Sequence, residues 1–307
     1  MSDARAPDLP SLKVIRPGHR MGPKPPETGP KLPWTACSSL EAFSICPQYH
    51  AFAYDMGLRP TEDKEALVLG GLIHVGLAYH YGMRMNPRPA WMVYPTPEAP
   101  SYRDAIWTIG FANLDIAEKA LRIVDAYVAH YSAPTLMPLL IEHQFGVEIP
   151  VGTLPEKYTL RIDMLAQDWA ASGEVVLLDH KSAYKLTKWV GHDYRADREM
   201  LTGLALCRAH GYDVKRVVIN AIQKGTKENP TPAFQRYDVP ISETAYARIG
   251  AETAYWIQRM REVRQSHPDP ENRPRAYASC VRKYGRCQFY PVCADGPQNL
   301  VQFTRKW

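Results

Sequence analysis

Residues 175–181, VVLLDHK, restrict what this chain can fold into more than any other stretch. Four aliphatic residues running into Asp, His and Lys read as a strongly apolar β-strand, whose side chains alternate between the two faces of a sheet. Val175, Leu177, Asp179 and Lys181 then share one face, and Val176, Leu178 and His180 share the other. The strand ends on a carboxylate beside an ammonium, and neither group is commonly buried without a partner. Taken alone, the pair reads as a surface ion pair closing a strand. The surrounding sequence has to decide between that and a site.

A chain of 307 residues suffices for one sizeable domain or two small ones. Hydrophobic residues at 45% and charged residues at 22% are those of an ordinary soluble globular protein. The formal net charge of +5 permits a polyanionic partner without requiring one. No run of about 18 apolar residues occurs and the N-terminus has no apolar signal core. No membrane contact is therefore expected, and the expected compartment is the cytoplasm. In that reducing setting the six cysteines are expected as thiols or metal ligands rather than disulfides.

Residues 1–33 are proline-rich and basic with almost no apolar periodicity, and read as an extended or disordered arm. Residues 34–307 then form a single domain. Ser38 or Ser39 would cap a helix running past Leu40, Phe43 and Phe52, interrupted at Cys46-Pro47. A second helix is predicted from Glu65 to Tyr81. On it Gly70, His74 and Ala78 share one face, the two tiny residues allowing close approach while the imidazole projects between them. A packed or solvated histidine is the plainer alternative. Residues 86–101 read as a proline-rich loop, and 104–131 as one long helix. Strands are predicted over 141–149, 159–166 and 175–181, with a turn at 171–173. In the second of these, Leu160, Ile162, Met164 and Ala166 would share a face, with Asp163 on the opposite one. A helix over 194–210 stopped by Gly211, a strand over 215–223 and a helix over 241–264 follow. This order implies an α/β fold, a mixed sheet flanked by helices.

Asp163 and Asp179 fall on strands joined by a short turn, with His74 on a preceding helix and Lys181 beside them. Converging carboxylates repel unless a cation neutralises them, and oxygen-rich sites suit magnesium or manganese. A neighbouring lysine could then position a water for attack on phosphorus.

Gly70-x-x-x-His74, the aspartate of LRID at 160–163, and Asp179-x-Lys181 occur in this order on a helix and two strands. In this the chain resembles the PD-(D/E)XK nuclease superfamily, in particular its RecB-like exonuclease branch. The resemblance implies a restriction-endonuclease-like core of helix, three strands, helix and strand. It implies that His74, Asp163 and Asp179 hold Mg2+ or Mn2+ with the backbone carbonyl of His180, and that Lys181 orients the nucleophilic water. Glu142 matches a less regular position and is an outer candidate. The branch's Q-x-x-x-Y motif is missing from the helix DREMLTGLALC, where neither Met200-to-Leu204 nor Glu199-to-Gly203 reproduces it. Tyr194, Arg195 and Arg198 are the substitute candidates for DNA contact, with Tyr184 and Lys185 of the preceding polar loop as further DNA-binding candidates.

Cys207 fits a buried, inert thiol on an apolar helix. Cys280-x6-Cys287-x5-Cys293 fits that reading less well, and lacks the C-x2–4-C knuckle of structural zinc. Iron–sulfur members of the RecB-like branch, the AddB-type and CRISPR-associated nucleases, are similar here. That similarity implies a [4Fe–4S] cluster on Cys46, Cys280, Cys287 and Cys293, stapling segments 34–60 and 275–295. Zinc or no metal remains open, because the x6 gap departs from the usual pair. The implied activity is metal-dependent hydrolysis of DNA, by an exonuclease on single-stranded ends in recombination or repair, in a phage or mobile-element setting. No G-x-x-x-x-G-K-[ST] motif occurs, so an unwinding helicase would be a separate partner. The alternative is a catalytically inactive nuclease fold serving as a DNA-binding or structural subunit.

Overall fold

The apolar alternation around Leu177 lies in the middle of a mixed sheet that helices cover on both faces. The computed structural model describes residues 13–15, 34–61, 65–85, 101–133, 135–171, 173–183, 186–225, 231–282 and 285–305. Strands β1 (Lys13–Ile15) and β2 (Trp34–Ala36) precede helices α1 (Cys37–Ile45) and α2 (Pro47–His50), the latter extended by a π-helical turn at Ala51–Asp55. Then come β3 (Leu58–Pro60), α3 (Glu65–Gly82), α4 (Tyr102–Gly110) and α5 (Leu114–His130). The central run is β4 (Leu136–Val151), β5 (Leu154–Asp168), β6 (Glu174–Ala183), α6 (Val190–Asp193), α7 (Arg198–Ala209), β7 (Val214–Gln223) and β8 (Ala233–Asp238). Helix α8 (Glu243–Ser266), β9 (Val281–Arg282), β10 (Gly285–Arg286), α9 (Tyr290–Asp295) and β11 (Phe303–Arg305) complete the elements.

The sheet runs β1-β4-β5-β6-β7-β8, with β2 parallel to β5. Strands β4, β5 and β6 pair antiparallel, as their short turns require. β6 and β7 are parallel, Asp179 beside Ile219, because α7 carries the chain back across the sheet between them. On one face Phe145, Leu160, Leu177 and Ile219 pack with Leu40, Leu204 and Ile257 of α1, α7 and α8. On the other, Met164, Leu178 and Val218 pack with Ile73, Ile106 and Val124 of α3, α4 and α5. A third, small cluster joins Phe52 and Leu58 to Phe289 and Val292. Beside it β3 and β11 pair antiparallel, Pro60 opposite Phe303.

Several expectations need correction. The helix expected over 104–131 is two helices. At Gly110 a Cβ would come 2.7 Å from Ala117 Cβ, so the chain turns a close corner there. The helix expected from 194 starts at Arg198, where Asp197 caps α7 by accepting the Met200 N–H at 3.1 Å. Neither Ser38 nor Ser39 caps α1, whose N-cap is Ala36; Ser39 Oγ instead meets His50 Nε2 at 2.9 Å. The close approach on α3 is made by Gly76, where a Cβ would lie 2.7 Å from Ile106 Cδ1, and not by Gly70, whose Cβ would clear Ser182 Oγ by 4.0 Å. Sequence periodicity does not foresee β8, a six-residue edge strand with little buried surface.

The side chains 160, 162, 164 and 166 do not share a face. Leu160 and Ile162 enter one core and Met164 and Ala166 the other. The neighbouring strand switches in step, Ile141 lying in one core and Phe145 in the other. Both changes fall at Asp163 and Glu142, and Glu142 has φ +47°, which breaks a period-two alternation. Within the basic arm, Lys13–Ile15 pairs with β4 along Glu148–Gly146. The rest of residues 1–33, and residues 86–100 of the expected loop, lie outside the described residues.

Candidate active site

Pairing between β5 and β6 ends at Met164 opposite Leu178, and the next residues outward are Asp163 and Asp179. Where the ladder stops, Asp163 Oδ2 accepts the His180 backbone N–H at 2.7 Å. A carboxylate thus replaces a ladder acceptor and fixes the spacing of the two parted strands. His74, on α3, brings Nδ1 to 3.4 Å from Asp163 Oδ1. From β4, the register that sets Ile141 opposite Met164 and His143 opposite Ile162 puts Glu142 across from Asp163. His74, Glu142 and Asp163 each offer a ligand atom, all within 4.8 Å of one another.

On β6 the alternation read from sequence holds. Asp179 and Lys181 face α7, where Lys181 Nζ lies 3.0 and 3.2 Å from the Asp179 oxygens and 2.8 Å from Glu199 Oε2. At Gly203 a Cβ would press on Leu177 Cδ2 at 3.0 Å, so a tiny residue there lets α7 approach the sheet. A pocket between β5, β6 and α7 has Asp163, Asp179 and Glu199 in one lining. His180 points its ring to the other face, buried, with Nδ1 2.7 Å from Asn220 Nδ2 and stacked on Tyr81 at 6.1 Å. It reaches the site through its backbone.

The electrostatics separate the carboxyls. Burial opposes ionisation of Asp163, but the hydrogen bond and charge of His74, with the His180 amide, outweigh it and hold this group well below the usual carboxylate range. Burial disfavours charge on His74 as well, and the Asp163 contact reverses that, raising its pKa. Glu142 is pushed up to about 7 by burial and by the Asp163 charge, with Arg161 opposing from 3.0 Å. Asp179 is raised far above the normal range by burial and by Asp163, against the pull of Lys181. Two neighbouring carboxyls that cannot both ionise at neutral pH form a place for a cation. Asp179 Oδ2 is enclosed and makes no hydrogen bond of its own, with Lys181 Nζ 3.0 Å away as its ion-pair partner. This donor set of carboxylates and one imidazole fits a hard divalent ion.

Of the residues singled out in the sequence, His74 meets Asp163 and Asp179 meets Lys181, Asp163 and Asp179 line one pocket, and His180 touches Asp163 through its main chain. Asp179 is not among the three residues whose ligand atoms gather within 4.8 Å. Tyr194 is half-buried and feels the charges of Lys181 and Asp179. Arg198 is half-buried too, with Nη1 enclosed and making no hydrogen bond. Tyr184 and Lys185 lie outside the described residues. Glu142 moves from the margin into the cluster, and Glu199 is a site residue that sequence reasoning missed. The one available signal for Glu199 was an acid in the first turn of a helix beginning just after the lysine strand.

Cys46 Sγ accepts the Ala276 N–H at 3.5 Å, which brings it to the C-terminal cysteines. The Cys287 N–H donates to the Cys280 carbonyl at 2.8 Å, closing the β9–β10 hairpin. The Cys293 thiol is pushed up to about 11 by burial, with Arg275 opposing and Cys287, Cys46 and Cys280 near enough to add to it. Cys37 lies apart, buried against Tyr158 and Thr202, and Cys207 is buried at the foot of α7.

Comparison with solved structures finds a candidate exonuclease from Eubacterium rectale, 12% identical over 86% of this chain and 88% of that one, with a TM-score of 0.48. The protein SSO0001 is 15% identical over 75% of this chain and 85% of its own, with a TM-score of 0.33. Comparison with curated proteins gives no significant match. The family model of the PD-(D/E)XK nuclease superfamily matches residues 35–294, and this chain belongs to that superfamily.

Proposed function

We propose that the chain is a metal-dependent deoxyribonuclease whose centre is built from His74, Glu142, Asp163, Asp179, Lys181 and Glu199. The observation that carries this reading is the meeting of His74, Glu142 and Asp163 within 4.8 Å, with the buried Asp179 across the strand gap paired to Lys181. His74, Asp163 and Asp179 would hold Mg2+ or Mn2+, with Glu142 and the His180 carbonyl completing the set. Bound there, the ion would supply positive charge to a phosphodiester in its transition state. Lys181, charged and fixed between Asp179 and Glu199, orients the attacking water by hydrogen bonding. Glu199 and Asp179 keep that side chain from swinging into solvent.

The RecB-like resemblance favours an exonuclease on single-stranded ends, working in recombination or repair beside a separate unwinding protein. It also favours a [4Fe–4S] cluster on Cys46, Cys280, Cys287 and Cys293, a reading supported by the approach of Cys46, and not Cys37, to the C-terminal three. End-labelled single- and double-stranded DNA, with Mg2+, Mn2+ or EDTA, tests the activity. Cleavage is expected only with metal, and Asp179→Ala and Lys181→Ala are expected to lower it at least about 100-fold. Variants cutting as fast as wild type would sink the assignment. Protein purified without oxygen is expected to be brown and to contain iron and sulfide; colourless protein with stoichiometric zinc would defeat the cluster.

A further inference from the structure

Trp189 exposes 56% of its surface at the start of α6, in the connection between Lys181 and α7. The segment is anchored. Leu186 and Val190 pack into the core beneath α7 and α8, and the Leu186 N–H donates to Gln223 Oε1 at 3.3 Å. The Val190 N–H donates to the Thr187 carbonyl at 3.1 Å and the Asp193 N–H to the Trp189 carbonyl at 3.0 Å. Gly191 lies so close to β8 that a Cβ would come 2.4 Å from the Asp238 carbonyl oxygen. With Leu186 and Val190 turned inward, Lys188 and Trp189 face outward. Lys188 Nζ lies over one face of the Trp189 ring, 5.1 Å from its centroid, and the His192 ring meets the indole edge-on at 5.6 Å.

The platform lies on the side of the sheet that carries the hydrolytic centre. Gly191 rests on Tyr237 and Asp238. Tyr237 pairs with Ile219, and Ile219 pairs with Asp179. Two strand spacings, about 10 Å, therefore separate this footing from Asp179. Tyr194, on the same connection, is near enough to the centre to feel the charges of Lys181 and Asp179. Among the described residues, the other exposed tryptophans lack this placement. Trp169 is in the turn at the far end of β5 and β6, and Trp107 is on α4 over the opposite face.

We propose that Trp189, with Lys188, is a base-stacking subsite for single-stranded DNA beside the hydrolytic centre. The proposal rests on the nuclease reading and adds to it how strandedness is read. The indole face away from Lys188 stacks with any base, which gives sequence-tolerant affinity, while the ammonium over the other face meets the backbone phosphate. Bases inside a duplex are already stacked on one another and present no face. The subsite therefore distinguishes single from double strands without distinguishing sequences.

Binding measured in EDTA, where no turnover occurs, tests this with fluorescently labelled oligothymidylate and a closed duplex hairpin. Trp189→Ala is expected to raise the Kd for oligothymidylate about tenfold and to leave the hairpin unchanged, whereas Trp189→Phe keeps most of the affinity. Lys188→Ala is expected to weaken single-strand binding and to flatten its salt dependence. A single abasic position moved along a mixed-sequence oligonucleotide should weaken wild type at one place, and that penalty should vanish in Trp189→Ala. Equal Kd values for wild type and Trp189→Ala on the single strand, or equal losses on both substrates, overturn the subsite. Failure of the wild type to cleave any DNA with Mg2+ or Mn2+ overturns the nuclease reading instead, and the metal-free binding comparison still decides the subsite.

Discussion

Lys181 is held from two sides, by Asp179 at 3.0 Å and by Glu199 at 2.8 Å. A lysine with one partner would sample several rotamers, and a misplacement of about 1 Å near reacting atoms can cost about 100-fold in rate. Glu199→Ala is therefore expected to lower kcat about 10- to 100-fold with KM nearly unchanged, and Glu199→Gln, which still accepts a hydrogen bond, to recover most of it. Steady-state cleavage kinetics check this, and a full kcat in Glu199→Ala would remove the positioning role. The contrast between these two acids explains what could be read in advance. Asp179 announces itself by ending an apolar strand two residues before a lysine, a relation internal to seven residues. Glu199 meets Lys181 only because α7 packs across β6, and no local pattern encodes that crossing. Glu142 occupies a polar position in an alternating strand, and its inward turn depends on the positive φ that the pattern does not reveal.

Helices α1 and α2 meet at Cys46, and His50 holds that junction as a neutral, buried group between Ser39 and Tyr54. Burial lowers its pKa to about 4 from 6.5; Asp55 opposes this and Arg264 and Arg273 add to it. A folded-state pKa below the unfolded one means that the contribution is complete above pH 6.5 and is lost as the pH falls toward 4. The full shift corresponds to about 3 kcal/mol. Urea midpoints followed against pH should fall across this window, and His50→Gln should fall less steeply there; an unchanged slope would show that another group governs it. The proline break at position 47 is visible in the sequence, whereas the buried imidazole is not, since its partners come from a separate helix and the π-helical turn. The merged reading of α4 and α5 failed for a similar reason. Their apolar spacing is continuous, and only the tight contact at Gly110 forces the corner.

The two cores differ in how much of them the sequence discloses. Strands β6 and β7 are apolar on both faces, so a helix-covered mixed sheet follows from their composition. The switch of β4 and β5 from one core to the other is set by geometry at Glu142 and Asp163, and a strict period-two reading assigns those side chains to the wrong layer. Further out, the small cluster of Phe52, Leu58, Phe289 and Val292 gathers segments from both parts of the chain. Its neighbour, the pairing of β3 with β11, has a consequence for how the molecule comes to exist. Residue 60 emerges from the ribosome long before residue 303, and about 240 residues of chain must be made before the two can meet. A chain broken off during synthesis leaves β3 with an open edge and Phe52 without Phe289. Closure of this small sheet therefore requires synthesis to have passed residue 305, and a chain interrupted earlier keeps an unpaired strand edge.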